Sequence, residues 1–205
     1  MEKITIVDYG MGNIWSVASA FKYIGYEVIL SSNPADVLRA KALVLPGVGS
    51  FRRAMVELRS KTLDVAILEA VEIKKTKILG ICLGMQLLGT VGYEDGETEG
   101  LGLIEKTIES FSVEQVGANK IPHVGFDQVH APGGQLFRGL PQFSDFYFVH
   151  SYKMNPGQLA GFESICNYGS DFLAAYEEEN VCATQFHPEK SQANGLMLLQ
   201  NFMKM

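Results

Sequence analysis

Three cysteines in 205 residues are too few, and odd in number, to form a disulfide framework, and neither a CxxC pair nor a Cys/His spacing suited to zinc occurs. At least one thiol is free for other work, and no metal or cofactor is expected. Positive charge is also scarce. Seventeen Lys and Arg against 23 Asp and Glu leave a formal charge of −6, which argues against broad binding to nucleic acid or to an anionic membrane surface. Long apolar runs are missing too. The longest stretch without a formal charge, 78–93, is interrupted by Gly80, Gly84, Gly89 and Gly92 and falls short of the roughly 20 apolar residues of a spanning helix. At the N-terminus, Met1-Glu2-Lys3 leads straight into Ile4-Thr5-Ile6-Val7, with no basic segment ahead of an apolar one. A secretory leader is therefore not expected, and the cytoplasm is the expected compartment. Internal repeats, low-complexity tracts and dividing linkers are absent as well. At roughly 100–200 residues per domain, the chain reads as a single α/β domain over 1–205, large enough to bury a core without staples.

What is present is a rhythm. Strand-like runs at 3–7, 26–30, 42–45 and 77–81 alternate with helical patterns at 13–24, 35–40, 50–74 and 83–91, which predicts a parallel sheet covered by helices on both faces. In the first helix, Ile14, Val17, Ala18, Phe21 and Ile24 follow the spacing of one buried stripe. From Leu101 onward short strand-like pieces are separated by turn signals such as Ala131-Pro132-Gly133-Gly134 and Asn155-Pro156-Gly157, so antiparallel hairpins are expected. Residues 172–177 and 181–186 flank Glu178-Glu179-Asn180 as a hairpin would, and 191–203 carries a closing helix.

One cysteine stands out. Gly80-Ile81-Cys82-Leu83-Gly84 lies where a strand gives way to a helix, the context of a nucleophile elbow with sulfur in place of the more familiar serine oxygen. Glycines two residues to either side relieve the crowding of such a turn, and the first N–H groups of the following helix favour thiolate over thiol. An inert buried cysteine in a glycine-rich turn is the alternative. Cys166 and Cys182 lie within strand-like runs without flanking glycines and read as core.

A nucleophilic thiol needs a base. Of the four histidines only His187, in Gln185-Phe186-His187-Pro188-Glu189, follows an apolar strand, is stopped by proline and has a carboxylate two residues on. An extended backbone at the x-Pro step would bring Glu189 to the same edge, where it can accept the Nδ1 proton and stabilise the imidazolium. Taken alone, the same residues also describe a strand-end histidine beside a solvated glutamate. Pro46-Gly47-Val48-Gly49 closes another predicted parallel strand, and its loop, through Gly47 and Val48, together with the N–H of Leu83 could hold an oxyanion. A phosphate cradle or a plain turn is the alternative there, although neither Walker A nor GxGxxG is present.

Taken together, Pro-Gly-Val-Gly at 46–49, Gly80-Ile81-Cys82-Leu83-Gly84-Met85-Gln86 and Gln185-Phe186-His187-Pro188-Glu189-Lys190-Ser191 resemble the motifs of class I glutamine amidotransferases. Within that class, Asp8-Tyr9-Gly10-Met11-Gly12-Asn13, Ile121-Pro122-His123-Val124-Gly125, Tyr147-Phe148-Val149-His150-Ser151-Tyr152 and Cys166-Asn167-Tyr168-Gly169 resemble the glutaminase subunit of imidazole glycerol phosphate synthase, in the same order and from end to end of the chain. The resemblance implies a flavodoxin-like α/β fold with a mostly parallel central sheet, flanking helices and an additional antiparallel β portion. It also implies attack of Cys82 on the side-chain amide of L-glutamine, with His187 and Glu189 completing a triad, and hydrolysis of the thioester to glutamate. Gln86 and Glu94 would bind the α-carboxylate and α-amino ends of glutamine, with Ser151 and Tyr152 close to the carboxylate. Without the family, Glu94 reads as easily as a solvated surface residue.

The resemblance further implies a heterodimer with a (β/α)8 cyclase subunit that receives the ammonia for histidine biosynthesis. Asn13, His123, Phe126, Tyr147 and Lys190 match junction positions, Tyr147 flanks the ammonia exit, and a flip of the 46–49 backbone is the implied gate. The chain departs from the family where Phe126-Asp127 replace the usual Trp-Asn, and that departure bears on partner identity. The runner-up is therefore the glutaminase of a related pair that forms sugar amidines for surface polysaccharide. From another class, a thiol esterase or peptidase of α/β-hydrolase type could share the elbow and the Cys–His pair, but it would not need Gln86, Glu94 or a partner. A silent binding module would be expected to lack a triad member.

Overall fold

The structure, a computed structural model, describes residues 2–205. Strand and helix alternate through the first half: β1 (Lys3–Val7), α1 (Ile14–Tyr23), β2 (Glu27–Ser31), α2 (Pro34–Arg39), β3 (Ala42–Gly47), α3 (Phe51–Ser60), α4 (Leu63–Leu68), β4 (Lys77–Cys82) and α5 (Leu83–Leu87). A π-helical turn, Glu69–Ile73, continues α4. The second half is mostly strand: β5 (Val91–Gly92), β6 (Thr98–Glu99), β7 (Thr107–Ser110), β8 (His123–His130), β9 (Phe143–His150), β10 (Tyr152–Lys153), β11 (Phe162–Asn167), β12 (Asp171–Glu178) and β13 (Val181–Thr184). Between β7 and β8 lies α6 (Val113–Val116), and α7 (Gln192–Lys204) closes the chain.

Nine strands form one sheet in the order β2-β1-β3-β4-β13-β12-β11-β8-β9. From β2 to β13 neighbours are parallel, and from β13 to β9 they are antiparallel. A second, small sheet runs β10-β7-β5-β6. The parallel part is covered on both faces, so its strands are almost continuously apolar. Side chains alternate between two cores. Ile4, Ile6, Val44, Leu79 and Ile81 face the core closed by α1 and α7, whereas Val7, Leu43, Leu45 and Ile78 face the core closed by α3, α4 and α5. Along α1 the expected stripe is found, with Val17, Ala18 and Phe21 buried and Ile14 and Ile24 packed against the same core. Truncating a side chain as fully buried as Phe21 costs about 3–5 kcal/mol. The hairpin expected across residues 178–180 is the antiparallel pair β12–β13.

Two helices are shorter than their patterns suggest. The 50–74 region breaks at Thr62, whose φ of 54° is left-handed, after the Lys61 and Thr62 amides have closed α3 on the Leu58 and Arg59 carbonyls. The helix expected over 83–91 stops at Leu87. The carbonyls of Leu87, Leu88 and Gly89 accept instead from the amides of Leu101, Ile104 and Gly102, which replaces the next helical turn with a long-range clasp. A sequence period cannot register a bond from a distant loop.

The topology brings three parallel strand ends together. β3, β4 and β13 are adjacent, with Gly47 opposite Cys82 and Ile81 opposite Thr184. The glycine loop, the candidate nucleophile and the candidate base therefore leave the sheet at its carboxyl edge, where open α/β sheets bind ligands.

Candidate active site

Cys82 ends β4 and caps α5 with φ 54° and ψ −110°, a conformation that costs on the order of 1–3 kcal/mol in a residue bearing a Cβ. The flanking glycines are a matter of space. A Cβ on Gly84 would lie 1.7 Å from the Leu45 carbonyl oxygen, and one on Gly80 would lie 2.9 Å from the Gly84 backbone. The elbow is thus locked between β3 and its own helix. α5 has only five residues, so the field at the sulfur comes from first-turn N–H groups rather than from a long helix.

A cavity of about 410 Å³ opens over the sulfur. Its walls include Val48, Leu83, Gln86, Glu94, Ser151 and Tyr152, all residues the sequence singles out. Gly47 is buried in β3, with its neighbour Val48 exposed toward the cavity, and Tyr9 Oη donates to the Pro46 carbonyl at 2.9 Å to hold the loop's base. Burial, and after it the charge of Cys82, pushes the Tyr9 phenol up, so it stays a neutral donor.

His187 and Glu189 join as expected, though by a different local route. His187 is extended (φ −98°, ψ 96°), and a 3-10 turn, Pro188–Lys190, then brings Glu189 Oε1 to 2.8 Å from Nδ1. Both side chains are buried, and among the described residues the His187 Nε2 has no hydrogen-bond partner. Burial disfavours the charged ring. The interaction with Cys82, then the hydrogen bond to Glu189 and the charges of both, more than reverse this and raise the imidazole from 6.5 to about 10. Such a balance lets the ring take up and hold a proton, with Nδ1–H given to Glu189 and Nε2 left for the sulfur and what it attacks.

Glu94 reaches the N-terminus of α3, where its Oε2 accepts from the Phe51 amide at 2.8 Å. Burial raises its pKa against that bond, and Asp95 adds to the rise. Gln86 is buried, and its Nε2 donates both to the Tyr152 carbonyl and to Gln185 Oε1, each at 3.0 Å. Its amide therefore keeps only Oε1, an acceptor, for a ligand.

Of the residues matched to a partner junction, Phe126 and Tyr147 face each other across β8 and β9 with ring centroids 5.5 Å apart, and Lys190 Nζ lies 5.6 Å over the Tyr147 ring. The Tyr147 carbonyl accepts from the His187 amide at 2.9 Å, which ties this surface to the base. Phe126 is half exposed. Asn13 caps the start of α1 and accepts from Ser16 Oγ. His123 is different. It is buried, stacked between Phe148 and Tyr168, with Nδ1 3.2 Å from His150 Nε2 and Nε2 3.5 Å from Asp127 Oδ2. The negative charge of Asp127 is thus directed inward at His123.

Sequence reasoning passed over Gln185 and Val149. Gln185 Nε2 donates to Cys82 Sγ at 3.7 Å, and the sulfur in turn donates to the Val149 carbonyl at 3.8 Å. A polar side chain closing an apolar strand just before His187 was the available signal. The described residues hold no cluster able to bind a metal ion and no helix long and apolar enough to cross a membrane.

Known proteins resemble this chain in sequence and in fold. The family model described as "Glutamine amidotransferase class-I" matches residues 5–205. "Imidazole glycerol phosphate synthase subunit HisH 1" of Parasynechococcus marenigrum (strain WH8102) is 44% identical over 205 residues, covering 99% of this chain and 98% of that protein. "Imidazole glycerol phosphate synthase subunit HisH" of Moorella thermoacetica is 41% identical over 98% of this chain and 94% of that protein. A solved structure titled "Crystal structure of glutamine amidotransferase" superimposes with a TM-score of 0.77 over 98% of this chain and 97% of that one; at 17% identity this likeness is one of fold. The match of the family model from residue 5 to the last residue, together with whole-length identities above 40%, shows that this chain belongs to the class-I glutamine amidotransferase family.

Proposed function

We propose that the chain is the glutaminase subunit of an imidazole glycerol phosphate synthase, which releases ammonia from L-glutamine for a cyclase partner. The observation that carries this is the unpartnered Nε2 of His187, buried beside Cys82 and backed by Glu189 at 2.8 Å. The printed names of the whole-length relatives support the choice of pathway. In the reaction, the Cys82 thiolate attacks the side-chain carbonyl carbon of glutamine. The oxyanion is met by N–H groups of the 47–48 loop and of Leu83; one such donor contributes about 2.7–4 kcal/mol to lowering the barrier. His187 gives its Nε2 proton to the leaving nitrogen, ammonia departs and a glutamyl thioester remains. Water, deprotonated by the now neutral His187, then attacks the thioester, and glutamate leaves as the sulfur regains its negative charge.

Glu94 carries the charge that suits the α-ammonium group, and Gln86, whose Nε2 is taken and which keeps only an acceptor, suits that end rather than the α-carboxylate expected of it from the resemblance. Tyr152 and Ser151 line the same cavity. The exposed Phe126–Tyr147–Lys190 face, one hydrogen bond from His187, is the surface proposed to dock the (β/α)8 cyclase and pass ammonia on. Ammonia in bulk water at neutral pH is mostly ammonium, which does not attack, so a sealed passage preserves the reactive form.

The test pairs the purified chain with the candidate cyclase and follows glutamate release with and without the phosphoribosyl-type precursor. Stimulation that requires both supports histidine biosynthesis. Stimulation by a sugar-processing cyclase instead would favour the sugar-amidine pair, and rapid turnover of simple esters by the lone chain would favour a thiol hydrolase. Cys82→Ala is expected to abolish glutamine-dependent synthesis while synthesis from added ammonium salts survives; loss of both would refute the division of labour.

A further inference from the structure

The side chains behind the nucleophile form a hydrogen-bonded line with a fixed direction. A backbone carbonyl can only accept, so the Tyr152 carbonyl holds Gln86 with Nε2 toward it at 3.0 Å. The same carbonyl also accepts from His150 Nδ1 at 2.8 Å. The second Nε2 proton of Gln86 meets Gln185 Oε1 at 3.0 Å, which turns the other end of Gln185, its NH2 group, toward Cys82 Sγ at 3.7 Å. Reversing Gln86 would set acceptors against each other, and reversing Gln185 would set two NH2 donors against each other, in the interior, where an unmade hydrogen bond costs about 1–3 kcal/mol. Gln185 has no exposed surface and so no water to turn to.

The sulfur has two such neighbours, and they act in opposite senses. The Val149 carbonyl, 3.8 Å away, can be satisfied only by S–H and so favours the thiol. The Gln185 NH2 group donates and so favours the thiolate. We propose that Gln185 is a further member of the catalytic site: a fixed donor that holds the thiolate of Cys82, with Gln86 setting its direction and so linking the glutamine cavity to the nucleophile. This rests on Cys82 being the nucleophile. When the S–H proton moves to Nε2 of His187, the Val149 carbonyl loses its donor while the sulfur keeps Gln185. The anion is then held by a group that does not need to rearrange.

Two variants of the full chain separate this role from simple packing. Gln185→Met keeps the volume and removes the donor. Gln185→Glu keeps the acceptor for Gln86 but turns an oxygen toward the sulfur. Iodoacetamide alkylation of Cys82, followed by peptide mass spectrometry from pH 5 to pH 11, reads the thiolate directly. The profile of the Gln185→Met variant is expected to be displaced upward by about one pH unit, making it about tenfold slower along its rising limb, with a larger displacement for Gln185→Glu. All three proteins should converge at the alkaline end, where every sulfur is ionised. Superimposable profiles overturn the assignment. So does a uniform loss at all pH values, which would indicate damaged packing. A wild-type Cys82 that reacts no faster than buried Cys166 and Cys182 would instead refute the nucleophile itself, and this role with it.

Discussion

Replacing Glu189 by glutamine removes a charge and almost nothing else. A glutamine Oε1 can still accept from Nδ1 of His187, so the tautomer survives while the carboxylate field is lost. The rise of the imidazole from 6.5 to about 10 corresponds to roughly 5 kcal/mol of preference for the charged ring. Cys82 comes first among the groups that raise it, the hydrogen bond to residue 189 survives in the variant, and the Glu189 charge comes last, so what is lost is the difference between a charged and a neutral acceptor, about 1 kcal/mol, or about 5-fold in rate if the imidazolium is needed for ammonia to leave. Glu189 does not line the cavity, so KM for glutamine should change little while kcat falls. Glutamate release by the chain with its cyclase gives both constants, and nitrogen-15 histidine NMR gives the titration of His187, whose midpoint should drop by about 0.7 unit. An unmoved midpoint, or a kcat within twofold of wild type, would refute the assignment of Glu189 as the group that holds the charged ring.

Other perturbations probe the supports of the site. A Cβ on Gly195 would lie 1.8 Å from the Pro188 carbonyl, so Gly195→Ala should displace the turn that carries Glu189, costing about 1–3 kcal/mol in urea unfolding and lowering kcat. Unchanged kinetics at reduced stability would separate turn from triad. Burial, more than the Tyr152 carbonyl bond can offset, lowers His150 to about 3, with the charges of His123, His187 and Lys153 adding to the effect. Above pH 6.5 this ring is neutral whether folded or unfolded; below it the unfolded chain takes up a proton the folded chain refuses, so stability falls with pH. At pH 4.5 His150 alone should cost about 2–3 kcal/mol, visible as a lowered urea midpoint. His187 acts in the opposite window, its stabilisation complete below pH 6.5 and lost as pH rises through about 10. At the proposed docking face, Phe126→Ala should weaken cyclase binding by about 1–2 kcal/mol in calorimetry without changing the chain's own stability. Equal binding by the variant would move the interface elsewhere.

The parallel half of the sheet was legible because its order is written in local periods, and burial on both faces makes β3 and β4 unmistakably apolar. The elbow was legible for a related reason. Gly84 marks the place where α5 approaches β3, and Gly80 the place where β4 approaches α5, too closely for any side chain. Helix ends were less so, because α5 is terminated by amides from Leu101, Gly102 and Ile104, which no window around residue 88 contains. The His187–Glu189 contact could be expected, but not the 3-10 turn that makes it. Gln185 was hidden because its meaning depends on a direction passed from the Tyr152 carbonyl through Gln86, residues separated by 66 and 99 positions along that path. His123 was matched to the partner junction, yet its ring is enclosed by Phe148 and Tyr168, which no window around residue 123 contains.

Incubating the chain and its cyclase with a diazo-ketone analogue of glutamine and mapping the adduct by mass spectrometry offers the shortest route to the chemistry. One label per chain is expected, on residue 82 alone, slowed by excess glutamine and lost when His187 becomes alanine. Labelling at another residue, or labelling that glutamine does not slow, would contradict an enzyme that opens the amide with this sulfur.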